Sequence, residues 1–120
     1  IDERGEVAVM VRGVPQMDVG PRTDVLDACP KALGIPMALR AMNPQVIAVD
    51  EITAEADLRA AVQAAGCGAG LLATIHAADV SELGQRPLYR QLLSEGVFRL
   101  AVCIRRSETG RTYQVEALPC

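Results

Sequence analysis

Aromatic side chains are almost missing from this 120-residue chain, which holds one Phe, two Tyr and no Trp. Its core must be built from Ala, Val, Leu, Ile and Met, which suits helices packed on a sheet and argues against an aromatic platform for single-stranded nucleic acid. Lysine is scarcer still, with Lys31 alone. Acids outnumber Lys and Arg by 15 to 12, a net charge of −3 that offers no overall pull on phosphate backbones. Nucleic acid is therefore not an expected partner. Cys29, Cys67, Cys103 and Cys120 form no C-x-x-C pair, so metal-ligand spacing is missing and reduced cysteines in a cytosolic protein are expected. The longest apolar stretch, residues 70–78, is too short for a bilayer, and no signal-peptide pattern opens the chain. A phosphate-binding loop is absent too. It would need G-x-x-x-x-G-K-[ST], and Lys31 sits in Asp27-Ala28-Cys29-Pro30-Lys31-Ala32 with no glycine frame.

What is present is half apolar and long enough for one domain over residues 1–120, burying roughly two-thirds of its unfolded surface. Residues 1–3 read as a strand end, which residues 7–11 either prolong or replace by a short helix. Residues 12–29, with Gly13, Pro15, Gly20 and Pro21, read as an ordered loop. A helix starts at Pro30 or Pro36, carries Ile35, Leu39 and Met42 on one face, and stops at Asn43-Pro44. After a strand at 46–49, Thr53 caps a second helix whose stripe is Leu58, Ala61, Val62 and Ala65. A strand at 70–75 and a helix at 81–95 follow, the latter interrupted or started at Pro87. Two strands, 98–105 and 111–118, then form a hairpin around Glu108-Thr109-Gly110. Strand alternating with helix predicts a mostly parallel α/β sheet with flanking helices and a terminal antiparallel hairpin.

The most informative stretch is Pro44-Gln45-Val46-Ile47-Ala48-Val49-Asp50-Glu51. An apolar β-branched run into two carboxylates puts acids at the carboxyl end of a strand, where open parallel sheets bind ligands. An aspartate there holds Mg²⁺ directly or through water, and a neighbouring glutamate orients an attacking water. This is the Walker B pattern of nucleotide triphosphatases. The plainer possibility is an Asp-Glu pair that caps the next helix.

Taken in order, IDERGEVA at 1–8, RGVPQMDVGPRTDVLDACPKA at 12–32, NPQVIAVDEI at 43–52 and LLATIHA at 71–77 resemble the ATPase core of the stage III sporulation protein AA family. That family is similar to secretion and pilus-retraction ATPases of RecA type, and its members carry a phosphate-binding loop upstream of the IDER strand. The resemblance therefore implies the latter part of a RecA-like core, and with Ile1 in place of Met it implies the carboxyl-terminal part of a larger protein.

Several site residues follow from the resemblance. Ile-Asp-Glu-Arg is similar to the catalytic-glutamate strand of the termination factor Rho, which makes Glu3 the expected water-polarising acid, with Arg4 and Glu6 orienting it or reading the neighbouring subunit. Asp50 is the expected Mg²⁺ ligand, and Glu51 shares or replaces the role of Glu3. Thr74 and His76 resemble the sensor segment that contacts the γ-phosphate, and Arg22 and Arg40 are candidates for arginines acting across a subunit boundary. Structural readings stand beside each of these. Glu3 serves as a strand-edge partner of Arg4, His76 as a satisfied strand histidine, and the arginines as loop braces near Asp18, Asp24 and Asp27. A Cys67–His76 hydrolase dyad lacks an orienting third group. The implied cofactors are ATP and Mg²⁺, and the implied assembly is a homo-oligomeric ring, cytoplasmic and peripheral to a membrane complex. The implied partners are sporulation channel or secretion proteins. The alternatives are a non-catalytic interaction module of the same fold, and a branch that works with a nucleic-acid-binding domain.

Overall fold

In the computed structural model, which describes residues 1–118, backbone dihedrals decide the path of the first thirty residues. Val9 and Arg12 hold left-handed conformations, φ 54° and 51°. Neither a continuous strand nor a helix tolerates them, so residues 7–11 extend nothing and instead enter a tight antiparallel hairpin. Its arms are β1 (Met10–Val11) and β2 (Val14–Pro15), with Gly13 at φ 79° in the turn.

Pro30 sets the next boundary, standing just before α1 (Lys31–Ala41), while Pro36 lies inside that helix. Ile35 and Ala38 are buried, whereas Met42 is exposed and falls outside the buried face expected of it. A Cβ on Gly34 would come within 3.1 Å of both Cys29 Sγ and Ile1, so glycine here permits α1 to lie close to the amino-terminal segment. Asn43, at φ 46°, ends the helical path before Pro44.

The next strand, β3 (Val46–Val49), alternates exposed and buried. The following helix, α2 (Glu55–Gly66), is capped differently from the expectation at Thr53. Asp57 reaches back to accept the N–H groups of Thr53 and Ala54 at 3.2 Å each. Its buried stripe is Leu58, Ala60, Ala61 and Ala64. Then β4 (Gly70–Ala73) pairs with β3 in parallel, Val46 opposite Gly70 through Val49 opposite Ala73.

Hydrogen bonds fix what lies on the other edge of β3. Gln45 O accepts from Gly70 N, so the odd-numbered carbonyls of this strand face β4 and Ala48 O faces away. Ala48 O accepts from Ile1 N at 2.7 Å. Beyond Ile1, Asp2 N donates to Leu26 O and Ala28 N donates to Asp2 O, in a parallel bridge of Asp2 with Asp27. The lateral order is thus 26–28, 1–2, β3, β4. Helix α1 packs on α2 and α2 on β4. Ile47 and Val49 are buried, while Val46 and Leu72 remain more than half exposed.

These elements make one compact unit, Ile1–Ile75, and the remainder makes a second, His76–Cys120. In the second, the helical stretch expected to be interrupted or started at Pro87 forms two helices, α3 (Val80–Leu83) and α4 (Pro87–Ser94). Pro87 starts α4 at its first turn, where a missing N–H costs no hydrogen bond. Leu83, Tyr89 and Leu92 are buried. The chain closes with β5 (Leu100–Ser107) and β6 (Gly110–Ala117), an antiparallel ribbon in register from Leu100 and Ala117 to Ser107 and Gly110. Leu100, Val102, Ile104, Tyr113 and Val115 share one face and are all more than half exposed. No helix among the described residues is long and apolar enough to cross a membrane, and Cys120 lies outside the described residues.

Candidate functional site

Strand alternation sorts the acids of the amino-terminal segment, because neighbouring side chains leave opposite faces. Asp2 is turned inward, 2% exposed, and its two oxygens accept the backbone N–H groups of Glu6, Val7, Ala8 and Val9 at 2.9–3.4 Å. Burial pushes its carboxyl up, and those four donors outweigh it and hold the group below the ordinary carboxylate range. With its acceptor capacity taken by the backbone, Asp2 organises the turn at 6–9 and is unavailable for chemistry.

Glu3 is placed differently. Its Oε2 accepts a hydrogen bond from Lys31 Nζ, which arrives from the first residue of α1. Lys31 is 5% exposed and its Nζ also stands 3.4 Å from Asp50 Oδ1, at the carboxyl end of β3. One ammonium therefore joins acids from two adjacent chain segments. The Lys31 hydrogen bond holds the Glu3 carboxyl below its usual range. Burial works against the Lys31 charge, but Glu3, Asp50 and Asp57 outweigh it and raise the lysine above its usual value. Asp50 Oδ1 is buried and accepts no hydrogen bond, despite the nearby ammonium.

The other expected residues divide into groups. Arg4 pairs with Glu51 at 3.7 Å, its side chain mostly in solvent, and its charge also acts on Glu3, which Lys31 holds by a hydrogen bond. Arg22 and Thr74 line a cleft of about 710 Å³ together with Asp2 and Asp50, along the exposed side of β3. Thr74 also accepts Ile52 N through its carbonyl, at 3.2 Å, which extends the β3–β4 contact past the acids. His76 falls in the second unit, where its carbonyl accepts from Arg86 Nη1 at 3.0 Å. Arg40 sits in the last turn of α1, its Nε donating to Pro36 O in an exposed position. Cys67 and His76 belong to different units. Lys31 was missed by sequence reasoning as a member of the site, having been considered only as a failed phosphate-loop lysine. Its signal was its place as the sole lysine, at a helix start between two acid-ended segments.

Among the described residues no group of three or more His, Cys, Asp or Glu is disposed to hold a metal ion. The residues fit a magnesium ion shared with phosphate oxygens, which needs only one or two protein carboxylates. Asp50, with its buried and unbonded Oδ1, is the acid that fits.

A helix-backed parallel strand pair with a lysine-bridged acid pair beside an open cleft makes this an α/β segment. The chain belongs to the stage III sporulation protein AA family, whose profile, described as "Sporulation stage III, protein AA", matches residues 1–116. It is 43% identical over 98 residues to Stage III sporulation protein AA of Bacillus subtilis (strain 168), a match that covers 82% of this chain and 32% of that protein. The chain thus spans about a third of the length of this relative. No solved structure matches it.

Proposed function

We propose that this chain is the acid-bearing part of a RecA-like ATPase core that serves sporulation, with Glu3 positioning the attacking water and Asp50 holding Mg²⁺. The observation that supports the reading is the convergence of Glu3 and Asp50 on the Lys31 ammonium at neighbouring strand ends. The family's name carries the sporulation role. Energising a secretion or channel complex, and assembly into a ring, belong to the same proposal.

Phosphoryl transfer asks the protein chiefly for positioning and charge stabilisation. Glu3, a carboxylate that is ionised at neutral pH with or without the lysine, accepts a hydrogen bond from a water and orients its lone pair, without needing to be a strong base. Asp50, fixed at the strand end and mostly buried, would be the carboxylate that holds Mg²⁺. Mg²⁺, when bound with ATP, neutralises phosphate charge. Thr74 and Arg22 line the cleft beside Asp50, a hydroxyl and a guanidinium suited to phosphate oxygens.

The test is a pair of substitutions in a protein that carries this segment together with a phosphate-binding loop. Glu3→Gln is expected to keep nucleotide binding and lower turnover, whereas Asp50→Asn is expected to change the Mg²⁺ concentration that activity requires. The chain itself has no glycine frame for the β/γ-phosphates and should show no micromolar Mg-ATP binding by calorimetry. A second reading, an interaction module without turnover, is favoured by the exposed apolar side of β3–β4 and predicts that neither substitution affects any activity.

A further inference from the structure

The position of Lys31 is unfavourable in every respect except its acidic neighbours. It is the first residue of α1, where the helix dipole presents its positive end and disfavours a cation. It is nearly buried, which disfavours any charge. Glu3, Asp50 and Asp57 offset both effects. A buried lysine among acids is ordinarily a closed structural pair in which each oxygen has its hydrogen bond. This one is not closed, because Asp50 Oδ1 lies 3.4 Å from the ammonium and still accepts no hydrogen bond. Of its three acidic neighbours, Asp57 is already held by the Thr53 and Ala54 N–H groups, whereas the Asp50 Oδ1 has only the distant ammoniums of Lys31 and Ile1. The ammonium is therefore a partial match to the space it fills, and an ion of higher charge with short oxygen contacts would match it better.

We propose that the Lys31 ammonium occupies the cation position between Glu3 and Asp50, and that a divalent ion reaches Asp50 only by displacing it. Lys31 then acts as a resident counter-ion that keeps the acid pair together while no metal is bound. This inference rests on the assignment of Asp50 to the metal and is independent of whether Glu3 supports hydrolysis.

The experiment uses Mn²⁺ as a paramagnetic probe on the 120-residue chain, read as broadening of backbone amide signals at residues 48–52. The unchanged chain should show no broadening there at micromolar Mn²⁺. Lys31→Met and Lys31→Gln should bind the ion at least about tenfold more tightly, since a unit positive charge within about 4 Å of a dication has been removed. Mn²⁺ should likewise raise the Tm of these variants, and adding Asp50→Asn should abolish both gains. Equal affinity in the unchanged chain and the lysine variants overturns the proposal, as does a gain that survives Asp50→Asn. If neither variant folds, the unchanged chain still decides, and broadening at Asp50 at micromolar Mn²⁺ would overturn it. Failure of turnover loss in Glu3→Gln would instead sink the hydrolytic reading and leave the metal result standing.

Discussion

The two units of the chain spend their apolar and charged residues differently. In Ile1–Ile75, helices cover one side of a parallel strand pair, Ile35, Leu58 and Ala64 are buried almost completely, and carboxylates at the strand ends have been drawn partly inside. In the unit from His76 onward, the ribbon β5–β6 leaves a whole apolar face in solvent, and one of the unit's acids, Asp79, acts as a helix cap for Glu82 N. Among the described residues, the buried charged groups Asp2, Lys31, Asp50 and Asp57 all lie in the unit where helices back the sheet. A two-stranded ribbon has nothing comparable to offer. Chemistry that needs a dry, positioned acid therefore belongs to the first unit.

Substitutions should separate the units by size of effect. Ile35→Ala or Leu58→Ala removes a side chain that is 0% or 1% exposed, and chemical denaturation should register a loss of roughly 2–5 kcal/mol. Asp2→Ala leaves four backbone donors without their carboxylate and should cost at least roughly 1.5–3 kcal/mol in the same assay. Ile104→Ala, on the exposed face of the ribbon, should stay within about 0.5 kcal/mol of the unchanged chain. A large loss at Ile104 with little loss at Leu58 would reverse the comparison.

Acid sharpens the same contrast. Asp2 and Glu3 have folded values held below their unfolded ones, so their contribution is present above about pH 4 and is lost as pH falls through the folded values. Lys31, raised on folding, contributes below about pH 10.4 and loses its contribution as pH climbs through its folded value. Stability should therefore fall on the acid side and again on the alkaline side, and between them the Ile1 ammonium, lowered on folding by burial, adds a rise as pH climbs toward 8.0. Asp2→Asn should flatten that acid limb, which urea unfolding at a series of pH values would measure.

Much of this was legible in the residues. Val46–Val49 announced itself by β-branched residues running into Asp50-Glu51, and the hairpin by Glu108-Thr109-Gly110 between two alternating runs. Family membership was legible because the ordered segments are long and specific. Other features were set by groups far apart in sequence. Asp57 took the capping role expected of Thr53 because a longer side chain one turn on reaches both free N–H groups. Residues 7–11 gave no sign of the left-handed Val9, whose neighbours are fixed by the Asp2 carboxylate. Lys31 joined Glu3 and Asp50 across 28 residues on one side, a relation no local pattern records.

The central claim, that Glu3 and not Glu51 is the water-positioning acid, rests on the convergence of Glu3 with Asp50 at the buried Lys31, whereas Glu51 stands 3.7 Å from the exposed Arg4. Steady-state ATP turnover of Glu3→Gln beside Glu51→Gln, in a protein carrying this segment and a phosphate-binding loop, tests it most directly. The account predicts a loss of roughly 10²–10⁴-fold for Glu3→Gln with nucleotide affinity retained, and a much smaller loss for Glu51→Gln. Abolished turnover in Glu51→Gln with Glu3→Gln still active would contradict it.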